Sequence, residues 1–379
     1  MRNYRQKGCI SVRLLSIQLQ QFRNYESLSA SFGPGVNFLI GRNAQGKTNL
    51  LEAIFCLALT KSHRTHVDSQ LIQWEKPWAN IQADIDKKYG RCNLGITWLP
   101  KGKKTKINGL DQRKISDFVG MCNVVLFAPE DLELVKGAPA MRRRFLDMEL
   151  GQIQPAYLHA LSRYHSVLTQ RNQLLKQWTS HGMISKEQLS TQLDVWDAQL
   201  IQYGIEVMQR RQKFVMQLTE WAKKIHQGIT NGLETLAIQY ESAVPGMAPD
   251  QWEKTLIAQR DRELRQGTTL SGPHRDDLTF QVNGQSVQLF GSQGQQRTTA
   301  LSLKLAEMEL IHQEIGEYPI VLLDDVLSEL DPFRQTQLLE TVQKHAQVFI
   351  TTTSIEGVGI QKMNEPRLFD VTDGQIVAR

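Results

Sequence analysis

No stretch of this sequence approaches the roughly 20 consecutive apolar residues that a helix needs to cross a bilayer, and Met1 to Val12 has no apolar core of the kind a secretory leader carries. A membrane or exported protein is therefore not expected, and the expected location is cytoplasmic. Cysteine is scarce. Cys9, Cys56, Cys92 and Cys122 stand without paired spacing, which argues against a disulfide framework or a zinc site and for buried or incidental thiols. Repeats and low-complexity segments are absent too. The net charge of +5 is too small to demand a nucleic-acid partner, although local basic patches can still meet one. What is present, 41% apolar residues in a chain of 379, is enough for a sizeable core and for two domains or lobes.

The chain is organised around Gly41-Arg42-Asn43-Ala44-Gln45-Gly46-Lys47-Thr48, which follows the apolar run Val36 to Ile40. This is the spacing of a phosphate-binding loop. A strand delivers the chain to a Gly-rich turn. Its backbone N–H groups, with the N-terminus of the following helix, face an anion, and Lys47 adds a mobile positive charge. Thr48 offers a hydroxyl to Mg²⁺, and Asn49 opens a helix to Leu59 whose Leu50, Leu51, Ile54, Phe55 and Ala58 share one face. A nucleotide phosphate with Mg²⁺ is what this pattern calls for.

Leu14 to Gln20, Leu28 to Phe32 and Val36 to Ile40 read as short strands before the loop. Phe22-Arg23-Asn24-Tyr25, between the first two, reads as a packed turn in preference to an adenine-stacking surface. From Trp78 to Phe118 apolar and polar residues alternate, with Asn108-Gly109 as a turn signal, so an antiparallel ribbon is expected. Its tip, Lys101 to Lys114, sets Lys101, Lys103, Lys104, Lys106, Arg113 and Lys114 against Asp111 alone. Such a projection is either a solvated tip or a place to meet a phosphate backbone, and Lys101, Lys103, Lys104 and Lys106 are the candidate DNA contacts.

Two long helical segments follow. Tyr157, Leu161, Tyr164, Leu168, Leu175 and Trp178 recur at spacings of three and four, interrupted by Arg171. Leu193, Leu200, Val207, Phe214 and Trp221 recur every seven residues. An antiparallel hairpin joined through His181-Gly182, with a coiled-coil-like seam, satisfies both patterns. After about Gly267 the character returns to α/β. Thr279 to Val282 and Val287 to Phe290 read as a hairpin, and Ser292 is placed to cap a helix running to about Glu314. Ser292, Gly294 and Gln295 make a second candidate anion site at that helix start. Tyr318 to Asp325 is a continuous apolar run ending in acids, as expected of a buried parallel strand that delivers carboxylates to the sheet's carboxyl edge. Asp324 is suited to hold Mg²⁺ and Asp325 to orient or deprotonate an attacking water. One γ-phosphate does not need two helix N-termini from opposite ends of one chain, so the second site is expected to arrive from a second copy.

A phosphate loop, a serine-glycine-glutamine signature and a strand ending in acids before Ser328-Glu329-Leu330-Asp331 together resemble the ATP-binding-cassette ATPases. Pro129 to Asp147, with E-D-L-E-L-V-K-G and R-R-R-F-L-D, and Ser271-Gly272-Pro273-His274-Arg275-Asp276-Asp277 resemble the diagnostic motifs of the bacterial RecF family. The likeness covers nearly the whole chain beyond Ile10. It implies an α/β, ABC-type P-loop ATPase head with an antiparallel β-ribbon and an inserted helical lobe carrying a short antiparallel hairpin. The divisions expected are residues 1–120 and 268–379 for the two halves of the head, and 121–267 for the helical lobe. It further implies an ATP-dependent homodimeric clamp with slow, DNA-dependent ATP hydrolysis, acting in the DNA-damage (SOS) response at single-strand/double-strand junctions, with RecO and RecR as partners in loading RecA. Lys47, Thr48, Asp324, Asp325 and Ser292 fall on the family's nucleotide positions.

Departures from the wider cassette pattern point to slow turnover. Gln293 stands in the signature where Leu and Gly are common, Asp325 is one methylene shorter than the usual Glu, and Thr352-Thr353-Ser354 stands where a switch histidine is usual. The alternatives are an SMC-like chromosome-organising head and an ABC-type ATPase of another pathway. The helical insert is too short for the first and larger than a transporter motor needs. Ser271 to Asp277 either lines the nucleotide site or stitches the lobes, and the structural role is favoured.

Overall fold

The computed structural model describes residues 11–181, 186–355, 363 and 366–379. The chain divides into two compact units, one running to Asp131 and resuming at Leu301–Arg379, the other Leu132–Ala300.

In the first unit, Val36–Ile40 (β3), Val124–Phe127 (β8), Ile320–Asp324 (β12), Val348–Thr352 (β13), Arg367–Thr372 (β14) and Gln375–Ala378 (β15) form a sheet in the order β15-β14-β3-β13-β12-β8. The pairings β14·β3, β3·β13, β13·β12 and β12·β8 are all parallel. The sequences VNFLI, VVLF and IVLLD are buried at every position. Strands covered on both faces read as nearly continuous apolar runs, and the interior exception, Asn37, is buried with its side chain bonded to the backbone of Gly33 and Gly35. Helix Lys47–Leu59 (α1) follows β3, and Pro332–Gln343 (α9) links β12 to β13. Asp331 caps α9, accepting from the amides of Phe333 and Arg334.

The second sheet of this unit is antiparallel: Arg13–Phe22 (β1), Tyr25–Ser31 (β2), Ala79–Lys87 (β4), Gly90–Leu99 (β5), Gly102–Ile107 (β6) and Leu110–Asp111 (β7), ordered β2-β1-β4-β5-β6-β7. It alternates as a one-sided sheet should. Ile17, Leu19, Ile81, Ala83, Leu94, Ile96 and Trp98 point inward, and Gln18, Gln20, Gln82 and Lys106 point to solvent.

The second unit holds Leu132–Lys136 (α2), Pro139–Ile153 (α3), Pro155–His181 (α4), Lys186–Ile229 (α5) and Pro249–Gln266 (α6). It also holds a small sheet of Leu236–Glu241 (β9), Asp277–Val282 (β10) and Gln285–Ser286 (β11). The heptad positions Leu193, Leu200, Val207 and Phe214 are buried, as are Tyr157, Tyr164, Leu168 and Leu175 on α4. Leu175, Leu189, Leu193 and Leu264 join α4, α5 and α6 in one apolar cluster. The turn expected at Gly182 lies outside the described residues.

Val287 to Phe290, read as a strand, is instead a short helix (α7), and β11 stops after two residues. Four residues, three of them apolar, do not distinguish strand from helix by periodicity. The unit boundaries fall at 131/132 and 300/301, later than the expected 120 and 267. The cause is strand pairing: β10 lies along β9, with Leu278 opposite Tyr240, so the stretch after Gly267 completes a sheet begun before it. Helix Gln293–Ile315 (α8) crosses the second boundary.

Candidate functional site

The phosphate loop leaves β3 at Gly41. A side chain there would run into the carbonyl of Val371 on β14, so glycine at this position serves the sheet. Ala44 takes a left-handed backbone (φ 64°) and Gly46 one at φ 115°. A non-glycine residue at positive φ is a small strain of the sort that collects at ligand-holding turns. A Cβ at Gly46 would come within 2.8 Å of the Asn24 amide and 3.0 Å of the Tyr25 hydroxyl. Tyr25 also donates to the Gly46 carbonyl at 2.9 Å, and the Asn24 amide donates to that of Gln45 at 3.2 Å. The β1–β2 turn is thus a brace under the loop. Phe22 and Tyr25 are fully buried in it, and Arg23 is clamped to Glu52 by two bonds of 2.6 and 2.8 Å. The Gln45 side chain faces away from the loop, accepting from the amide of Asp373.

Lys47 folds into the loop and donates from Nζ to the carbonyls of Gly41 at 2.6 Å and Arg42 at 2.8 Å. Burial lowers its pKa, against the pull of Asp325 and Asp324, which raise it. Register explains their proximity. β13 lies between β3 and β12, with Thr352 opposite Ile40 and Thr351 opposite Asp324, so loop and acids leave the same edge one strand apart. That edge is where open parallel sheets bind their ligands. Asp324 Oδ1 accepts from Thr48 Oγ1 at 3.0 Å and Thr351 Oγ1 at 2.8 Å. Burial raises the Asp324 carboxyl, and these hydroxyl bonds oppose the rise. Asp325 stands exposed at φ 53°, a conformation aspartate tolerates, its amide held by Thr351 Oγ1. A cavity of about 400 Å³ is lined by Asn43, Ala44, Gly46, Lys47, Thr48, Asn49, Arg64, Asp324, Asp325 and Thr351. The donor set fits a magnesium nucleotide: N–H groups and cations for phosphates, and a hydroxyl beside a carboxylate for a hard cation.

Ser292 and Gln295 form a capping box at the start of α8. The Gln295 amide donates to Ser292 Oγ at 3.2 Å, and the Ser292 amide donates to Gln295 Oε1 at 3.0 Å. Ser292 and Gly294 are exposed, and nothing but Ser292 Oγ comes within 4 Å of a Cβ built at Gly294.

Residues 13–372 match the model of the RecF/RecN/SMC N-terminal domain. The DNA replication and repair protein RecF of Halalkalibacterium halodurans is 51% identical over 367 residues, 95% of this chain and 98% of that protein. Its counterpart from Bacillus thuringiensis strain Al Hakam is 52% identical, across 95% and 97%. The chain belongs to the RecF family of DNA replication and repair proteins. A solved structure of the recombination mediator protein RecF with ATP superposes with a TM-score of 0.90 at 30% identity, covering 99% of this chain and 100% of that one. An Smc head domain from Pyrococcus furiosus shares the fold at a TM-score of 0.55 and 15% identity. The fold is therefore the expected α/β ABC-type ATPase head.

The two RecF-like stretches do structural work inside the second unit. Arg142 is buried and forks onto Asp277 at 2.6 and 2.9 Å, and Arg143 donates to the Asp276 carbonyl. Asp276 accepts from the Tyr240 hydroxyl and the Ala243 amide. Arg211, 2% exposed, meets the Pro273 carbonyl and Asp147 at 2.7 Å each.

Of the candidate DNA lysines, Lys103 is turned inward. It pairs with Asp68 at 2.9 Å and donates to the Thr60 carbonyl at 2.5 Å. Lys101, Lys104 and Lys106 are exposed, with Lys106 facing Asp111 at 3.7 Å.

Sequence reading did not single out Arg64, Thr351 or the Asn24–Asn49–Arg64 chain, in which Asn49 donates to Asn24 at 2.7 Å and accepts from Arg64 at 2.9 Å. Arg64 lies beyond α1 in no recognisable spacing, and nothing short of the fold brings it to the loop. Thr351 carried a signal, since a hydroxyl at the polar end of a buried strand beside the acids was legible from β13.

Proposed function

We propose that this chain is an ATP-dependent DNA-binding protein of recombinational repair and replication restart, working as a dimeric clamp with slow, DNA-dependent hydrolysis. In this reading it helps load RecA near single-strand/double-strand junctions together with RecO and RecR. The observation that carries it is the gathering of Lys47, Thr48, Arg64, Asp324 and Asp325 around one cavity, with a second anion-type helix start, Ser292 to Gln295, elsewhere in the chain. The structure of a related RecF with ATP supports the choice of nucleotide.

Lys47 and the loop amides bind the phosphates. Thr48 and Asp324 would hold Mg²⁺, which would neutralise charge on the transferred phosphoryl group. Asp325 orients the attacking water. Ser292 of one copy completes the site of the other, in the manner of the cassette ATPases. Turnover is slow because Asp325 has a short reach and its neighbour strand ends in threonines where a switch histidine is usual.

If ATP drives pairing, pairing must tighten ATP by the same factor. Sedimentation of wild type and Ser292→Arg, with and without ATP, tests this. Wild type should become heavier with ATP at micromolar protein and Ser292→Arg should not. An unchanged wild-type mass would sink the reading.

A further inference from the structure

The capping glutamine of α8 is itself held. Gln295 Nε2 donates to Glu234 Oε1 at 3.0 Å, and Glu234 Oε2 lies 3.1 Å from Nε2 of His226, a fully buried residue in the last turn of α5. Glu234 sits between two bonds from the β10–β11 turn: Asn283 Oδ1 accepts from the Thr235 amide at 2.9 Å, and the Asn283 amide donates to the Leu233 carbonyl at 3.4 Å. The carboxylate is thus fixed from its own backbone, from α5 and from α8. With Glu234 accepting from its NH₂ group, the Gln295 amide has one orientation, which turns Oε1 onto the Ser292 N–H. Ser292 Oγ in turn accepts from the Gln295 N–H. With one lone pair of Ser292 Oγ so engaged, its exposed O–H is left to donate outward, and an anionic oxygen is a strong acceptor for it.

We infer that Glu234 is a positioning residue for Ser292, tying the exposed serine to the end of the long helix α5. The assignment rests on the reading that Ser292 meets phosphate across a dimer. Glu234 does not touch the phosphate loop's own ligand in this role, so losing it loosens pairing without loosening nucleotide binding by a single chain.

The test uses the full chain. ATP-driven association is measured by sedimentation, and binding of a fluorescent ATP analogue is measured at protein concentrations where the chain is dispersed. Glu234→Ala should weaken association about tenfold while single-chain nucleotide affinity stays within about twofold, and Glu234→Ala added to Gln295→Ala should cost little more than Gln295→Ala alone, as expected of residues acting in series. Glu234→Gln keeps an acceptor for Gln295 and should restore most of the association. It also keeps the measurement available should the alanine variant fail to fold. Normal association of Glu234→Ala overturns the assignment, as do independent, multiplying losses in the double variant, an equal loss in Glu234→Gln, or a fall in single-chain affinity. Absence of ATP-driven association in wild type overturns the dimer reading itself, and the two failures are told apart by the wild-type arm.

Discussion

His274 shows what burial does to a side chain that composition alone would call a surface base. Its Nδ1 lies 2.5 Å from the Tyr164 hydroxyl and its Nε2 3.1 Å from the Thr269 carbonyl. Desolvation lowers its pKa to about 4; the bond to Thr269 opposes this, and the charge of Arg275 adds to it. A histidine with a folded pKa below its ordinary 6.5 stabilises the fold as the neutral ring above pH 6.5. That contribution is lost as pH falls from 6.5 toward 4, and it amounts to about 3 kcal/mol at most. Thermal melts across this range should show a falling midpoint for wild type, and a flatter profile from a lower neutral-pH start for His274→Gln. Parallel profiles would remove His274 as the cause. The residue was visible in the sequence as part of a motif, but its role was not, because the groups that bury it come from α4 and from the chain after α6. Arg171 behaves in the same way. It reads as a break in an apolar stripe, yet it is fully buried between Asp197 at 2.6 Å and Glu263 at 2.7 Å. A charge is assigned to solvent by default, and only the fold supplies its partners.

At the scale of elements, α5 carries two glycines, Gly204 in its middle and Gly228 in its last turn, that differ in the structure. A Cβ at Gly204 would strike the Trp252 ring of α6, whereas nothing lies within 4 Å of one at Gly228. Glycine inside a helix costs about 0.5–1 kcal/mol relative to alanine, and in the last turn less, so Gly228→Ala should stabilise by at most about 0.5 kcal/mol. At Gly204 the same gain is outweighed by overpacking against a buried tryptophan, and Gly204→Ala should destabilise by about 1–3 kcal/mol. Denaturant titrations of both variants decide this, and a stabilised Gly204→Ala would mean that α6 moves aside at no cost. The heptad of α5 was legible because its spacing is a local property. The need for Gly204 was not, since Trp252 arrives from 48 residues further along the chain. The parallel strands were the most legible elements, because double burial writes itself as VNFLI and IVLLD. The four residues of α7 were the least.

For the whole molecule, the sequence carried the order of phosphate loop, signature and acids, and so the class of fold, but not which surfaces remain free to meet DNA. The antiparallel sheet separates the candidate lysines. Lys103 lies on the inward side of β6, held by Asp68 and Thr60, and Lys104 and Lys106 lie on the outward side. Across the sheet from them run uncharged rows: Lys104 opposite Thr97, then Asn80 and Gln20, and Lys106 opposite Gly95, then Gln82 and Gln18. On its other side Lys106 lies opposite Asp111 of β7, 3.7 Å away, and that carboxylate offsets part of its charge. If this face meets duplex DNA, Lys104→Glu with Lys106→Glu should lower affinity and reduce the slope of log affinity against log salt by about 2, near 0.9 for each phosphate that is no longer neutralised. Lys103→Glu should act on the fold, lowering the melting temperature by setting a second carboxylate beside Asp68. Salt-dependent duplex binding and thermal melts, run on wild type and both variants, separate these outcomes. A salt slope in the double variant identical to wild type would return Lys104 and Lys106 to solvent and move the search for the DNA surface off this sheet.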